Sequence, residues 1–143
     1  MSSVSNLTEQ EIENMSTAEL AFAIGCWHEE RNLIDGSTDE AQFTKGFEEF
    51  VEVYMALHPG TSPIDCVTDL TMMLLKMLNK GRIKTDPDGS TLADSIGDVN
   101  VVLINHAVRN NLTLAQCLRN ALLDIKDRKG KMIDGVFVKE ADL

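Results

Sequence analysis

Aromatic residues, paired cysteines, cations and long apolar runs are all scarce in this chain. Aromatics make up 5% of its 143 residues, with a single Trp, so a core has to be assembled mainly from aliphatic side chains and Met. Cys26, Cys66 and Cys117 are odd in number and widely spaced, with no CxxC pair, which fits free buried thiols better than disulfides or zinc ligands. Lys and Arg number 13 against 23 Asp and Glu, a formal net charge of −10. That balance argues against a nucleic-acid backbone or an anionic membrane as the main partner. No apolar run reaches membrane-spanning length, and residues 1–15 are polar and acidic without the apolar stretch of a signal peptide, so a cytoplasmic protein is expected. Neither GxxxxGK[ST] nor GxGxxG occurs, which leaves P-loop and Rossmann nucleotide binding unsupported. His28, His58 and His106 lack Glu-x-x-His or His-x-x-x-His spacing, which weakens a ferritin-like di-iron reading.

What is present is a series of helix start and stop signals. Ser16-Thr17-Ala18-Glu19 is a capping box leading into a helix to about Asn32, with Leu20, Ile24, Trp27 and Arg31 near one stripe. After the break at Asp35-Gly36, Ser37-Thr38-Asp39-Glu40 is a second box. The helix it opens carries Phe43, Phe47, Phe50, Val51 and Tyr54 at core spacing until His58-Pro59-Gly60. Ser62-Pro63 starts a third helix with Val67, Leu70, Leu74, Met77 and Leu78 expected inward. Thr91 caps a fourth, running to about Arg109, and Thr113-Leu114-Ala115-Gln116 opens the last, which Lys129-Gly130 closes. Asp134-Gly135 between Met132-Ile133 and Val136-Phe137-Val138 is a hairpin signal. The expected fold is all-α, a bundle of about five helices with a short C-terminal β-hairpin. Residues 16–130 form the helical domain, 131–143 the tail, and 1–15 an N-terminal extension, either mobile or carrying a short helix after Thr8.

Two acidic clusters carry the candidate chemistry. Glu48, Glu49 and Glu52 share an arc of roughly 100° that borders the apolar arc of their helix. On the Thr91 helix, Asp94, Asp98, Asn105 and Arg109 form one polar row about 60° wide in otherwise apolar sequence. Crowded carboxylates repel unless a cation lies among them, and hard oxygen donors suit Mg²⁺ or Mn²⁺. The plain reading is that both are solvated faces, with Lys45 neutralising the first as a helical ion pair and the helix dipole favouring Asp94.

At these residues the chain resembles the MazG-like nucleoside triphosphate pyrophosphohydrolases, members of the all-α NTP pyrophosphatase superfamily, in their compact phage-type form. The resemblance runs through Trp27, Arg31 to Thr38, Gln42, Lys45, Glu48-Glu49-x-x-Glu52, Ile96-Gly97-Asp98-Val99, Val101 to Asn105, Ile125 to Met132 and Asp134 to Lys139. It implies Mg²⁺-dependent hydrolysis of a nucleoside triphosphate to the monophosphate and pyrophosphate, in a site between the Ser37 and Thr91 helices. Glu49, Glu52, Asp94 and Asp98 would be metal ligands, and Glu48 a further ligand or the group that orients the water. Lys45, Asn105, Lys126, Arg128 and Trp27 would contact substrate. It also implies a homodimer or homotetramer.

Two departures matter. Ser95 stands where the family usually has Glu, with Asp94 the expected substitute, and the Ser62–Gly81 segment makes the spacing between clusters longer than usual. The basic run Lys126, Arg128, Lys129 and Lys131 suits phosphate oxygens, but a helix C-terminus also favours it. Trp27 at core spacing reads as packing as readily as base stacking. The alternative function is a non-catalytic helical module on the same scaffold, binding nucleotide or a protein partner.

Overall fold

The computed structural model describes residues 3–143. These are 65% helical, with six α-helices and a two-stranded antiparallel hairpin. In chain order they are α1 (Glu9–Glu13), α2 (Thr17–Glu30), α3 (Asp39–Leu57), α4 (Pro63–Asn79), α5 (Leu92–Arg109), α6 (Leu114–Ile125), β1 (Gly130–Ile133) and β2 (Val136–Lys139). Single 3₁₀ turns at Val4–Asn6 and Glu140–Asp142 flank them. No helix among the described residues is long and apolar enough to cross a membrane.

Local chemistry explains the boundaries. Ser16 caps α2 and Thr113 caps α6 through complete capping boxes with Glu19 and Gln116, each satisfying otherwise orphaned backbone N–H groups. Thr8 does the same for α1 through Glu11. Ser62 accepts from the Asp65 N–H, with Pro63 at the first helical position of α4. At α3 the expected cap moves by one residue. Thr38 Oγ1 accepts the Ala41 N–H at 3.2 Å, while Ser37 Oγ donates to the Gly135 carbonyl at 2.7 Å. The hairpin turns at Asp134 and Gly135, both at positive φ (49° and 80°), as a two-residue primed turn requires. Gly130 pairs with Lys139 at its open end, where a Cβ would meet the Val138 carbonyl oxygen and the Phe137 ring.

The chain divides into two compact units, residues 1–41 with 94–143, and residues 42–93. The first unit contains the hydrophobic core, Val4, Ile12, Leu20, Ala23, Trp27 and Leu122, against which Leu118, Ile125 and Phe137 pack. The principal helix packing there is α2 on α6 and α1 on α6. Of the expected extension, Val4 and Ile12 belong to this core, a short helix follows Thr8, and Glu30 accepts the Val4 N–H at 2.9 Å. Met1 and Ser2, the start of that expected extension, lie outside the described residues.

The second unit holds most of α3, all of α4 and the following loop. Tyr54 Oη donates to Asp69 Oδ2 at 2.7 Å and so ties α3 to α4. The inward placement expected for its apolar residues is not found. Phe43, Phe47, Phe50, Val67, Leu74, Met77 and Leu78 are all exposed, and Cys66 is the unit's only fully buried residue. Helical spacing selects an apolar face, but a face is buried only where another surface covers it.

Candidate carboxylate site and its surroundings

Glu48, Glu49 and Glu52 lie on α3 within the second unit, all exposed. Lys45 is one turn earlier, and its ammonium sits 3.1 Å from Glu48 Oε2 and 2.7 Å from Glu49 Oε1. Two carboxylates thus converge on one cationic point, and their pull raises the Lys45 pKa above the ordinary lysine value, the Glu49 hydrogen bond contributing most and Glu48 next. This is the expected neutralising pair. Being solvated at both partners, it adds little stability. Glu52 follows one turn further along the helix but is not part of the pair.

Asp94, Asp98 and Asn105 lie on α5 in the first unit, and all three are exposed. Asp94 occupies the first turn of α5, where the helix dipole favours a negative charge. Ser95, also exposed, places a hydroxyl beside Asp94. Among the described residues no group of three or more His, Cys, Asp or Glu side chains is drawn together as a metal ion requires. The donors on both helices are nonetheless carboxylate oxygens, the set that hard divalent cations select.

Trp27 is a core residue and not an open stacking platform. Its indole N–H donates to the Ile125 carbonyl at 2.8 Å, Phe137 and His28 meet it edge-on, and the Arg31 guanidinium lies 5.2 Å from its ring centroid. The ring is therefore surrounded, which leaves no face for a nucleobase. His28, half-buried beside it, has its pKa lowered by desolvation.

Arg31 performs a role that spacing along one helix could not reveal. Its Nε and Nη2 donate to the Arg128 and Lys126 carbonyls, each at 3.1 Å, and Nη1 bonds Glu30 at 3.0 Å. It thereby collects carbonyls left free where α6 ends. The two substrate candidates in that segment already have carboxylate partners: Lys126 Nζ lies 2.7 Å from Asp127, and Arg128 pairs with Asp124. A shallow cleft of about 300 Å³ beside the hairpin is lined by Asp127, Arg128, Lys129, Lys139, Glu140 and Ala141, a mixed-charge surface. A larger cleft of about 370 Å³ is mostly apolar, lined by Val4, Leu7, Met15, Ala18, Phe22 and Ala23, with Glu19 at its edge.

The residues singled out from the sequence thus fall into three sets: the α3 carboxylates with Lys45, the α5 acid row with Asn105, and the basic segment after α6. Comparisons with known protein families, with curated proteins and with solved structures give no match to this chain.

Proposed function

We propose that this protein is a Mg²⁺-dependent hydrolase that cleaves a nucleoside triphosphate, ribo or deoxy, to the monophosphate and pyrophosphate, acting in the cytoplasm as a homodimer or homotetramer. The observation that carries the reading is the convergence of Glu48 and Glu49 on a single cationic point, with Glu52 one turn away. The ammonium of Lys45 marks a position that these oxygens share. A divalent cation, Mg²⁺ or Mn²⁺, competes for the same oxygens with twice the charge.

Glu49 and Glu52 are assigned as its ligands, and the resemblance in sequence implies the same role for Asp98, with Asp94 in place of the glutamate missing at Ser95. When bound, the cation supplies charge neutralisation at phosphate oxygens and a water of lowered pKa. The chain's own groups do the rest. Glu48 holds and orients the attacking water as a general base, and Lys45, released from its carboxylates, binds phosphate oxygens. Lys126 and Arg128 supply further positive charge, and Asn105 a neutral hydrogen-bonding group. Trp27 acts indirectly, by holding the Arg31 and α6 terminus in place. The resemblance in sequence to the MazG-like enzymes supports the same reading.

Titration of the purified full chain with MgCl₂ in a calorimeter tests it. Saturable binding at a stoichiometric ratio, lost in Glu49→Gln, is expected. Heats indistinguishable from dilution would overturn the metal site. Ser95 favours the non-catalytic module as the second reading, because it removes one carboxylate from the set. Turnover separates the two.

A further inference from the structure

Glu30 is the last residue of α2, where the helix dipole disfavours a carboxylate, yet both of its oxygens are engaged. Oε1 accepts the Val4 N–H at 2.9 Å, and Oε2 accepts from Ser3 Oγ and from Arg31 Nη1, each at 3.0 Å. Two of these donors belong to the N-terminal turn and the third to Arg31. Unlike the solvated Lys45 pair, this ion pair is well shielded, since the Arg31 side chain is only 16% exposed.

Arg31 spends each nitrogen of its fork on a different acceptor: Nη1 on Glu30, Nε on the Arg128 carbonyl and Nη2 on the Lys126 carbonyl. Its face lies against Trp27. The flanking carbonyls are held as well, Ile125 by the Trp27 indole and the Arg128 N–H, Lys129 by the Glu140 N–H. Arg31 thus supplies the holds in between, and Glu30 fixes the corner of the fork that points away from the basic segment. A lysine could not replace it, because one ammonium does not match three acceptors arranged around a plane.

We propose that Glu30 is a positioning residue for polyphosphate binding, coupling the docking of Ser3 and Val4 to the placement of Lys126 and Arg128 through Arg31. The inference rests on the reading that these two cations contact phosphate. A carboxylate held by three donors gives the guanidinium one placement. When a donor is lost, Glu30 turns and Arg31 follows, and the carbonyls of the turn after α6 lose their partners. Lys126 and Arg128 must then be ordered again each time an anion binds, which weakens affinity without removing either cation.

The test compares two variants of the full chain at one position. Val4→Pro removes the N–H that Glu30 accepts at a site that suits proline: Val4 opens a 3₁₀ turn, and Ser3 before it is already extended, at φ −54° and ψ 146°. Val4→Ala instead loses apolar volume and keeps the N–H. Hydrogen exchange at the Arg128 amide and calorimetry with inorganic tripolyphosphate in MgCl₂ are the readouts. Val4→Pro is expected to speed that exchange and to raise the tripolyphosphate Kd about 3- to 10-fold, the worth of one hydrogen bond. Val4→Ala should stay within about 2-fold of wild type in both. Ser3→Ala should shift both readouts in the same direction as Val4→Pro and Ser3→Thr should restore them, which keeps the test decisive if the proline variant does not fold.

Equal effects of Val4→Pro and Val4→Ala would reduce the contact to packing and overturn the proposal. So would faster exchange with unchanged affinity, or a wild type that binds no tripolyphosphate. Absent turnover of nucleotides with these shifts intact would fault the hydrolase reading alone, and turnover without the shifts would fault the role of Glu30 alone.

Discussion

Replacing the single Trp with Phe distinguishes a structural indole from a nucleobase-binding one. Trp27→Phe removes the N–H bond to the Ile125 carbonyl, but that carbonyl also accepts the Arg128 N–H at 2.8 Å and is not left bare. The loss is therefore that of one ordinary hydrogen bond, about 0.5–1.5 kcal/mol. Deleting the second ring in a sealed position adds about 1–2 kcal/mol for transfer and cavity. A weaker cation–π contact with Arg31 adds roughly 0.5 kcal/mol.

The sum is about 2–4 kcal/mol, which for a chain of this length lowers Tm by about 6–12 °C. Thermal unfolding followed by far-UV circular dichroism measures it, since the variant has no indole fluorescence. A shift below about 2 °C, together with weakened nucleotide binding in calorimetry, would contradict the core assignment and restore the stacking role.

Three further outcomes follow from the geometry. Lys45→Ala should tighten Mg²⁺ binding several-fold by freeing Glu48 and Glu49, while changing stability by less than about 0.5 kcal/mol because the pair is solvated; unchanged Mg²⁺ affinity would show that Lys45 and the cation do not compete. Gly130→Ala should cost about 1–3 kcal/mol, because the new methyl meets the Val138 carbonyl and the Phe137 ring across the hairpin; urea unfolding with no loss would contradict the close approach. Glu19 has its pKa lowered by the Ser16 side-chain and backbone bonds. A lowered folded-state value favours the charged form, so its contribution is present above the ordinary glutamate pKa and disappears as pH falls through the folded one. Glu19→Gln should flatten the acid limb of the stability curve. An unchanged limb in denaturation across that range would argue against it.

Where an element depends on neighbours in sequence, it was legible. The boxes Ser16 to Glu19 and Thr113 to Gln116, the Ser62-Pro63 start and the Asp134-Gly135 turn each satisfy their own backbone within a few residues. A helix after Thr8 was only one of two readings of residues 1–15, and local pattern could not choose between them, because Ile12 and Val4 become core only through α2 and α6. Trp27 and Ile125 are 98 positions apart, and Arg31 reaches across a similar separation, so no local pattern announces that pairing. Phe43, Phe47 and Phe50 mark the limit of periodicity. They have the spacing of a core stripe, yet they stand exposed, because spacing names the face and not the surface that covers it. Within the candidate site, the i,i+3 and i,i+4 contacts of Lys45 with Glu48 and Glu49 follow from helix geometry alone.

The central proposal is that a divalent cation held by carboxylates drives nucleotide cleavage. Release of pyrophosphate from a panel of ribo- and deoxynucleoside triphosphates, in the presence of Mg²⁺, tests it most directly when wild type is compared with Glu52→Gln and Asp98→Asn. The account predicts monophosphate and pyrophosphate in equal amounts from at least one nucleotide, with rates reduced about 10²-fold or more in each variant. No pyrophosphate from any nucleotide, or turnover that both variants retain in full, would contradict it.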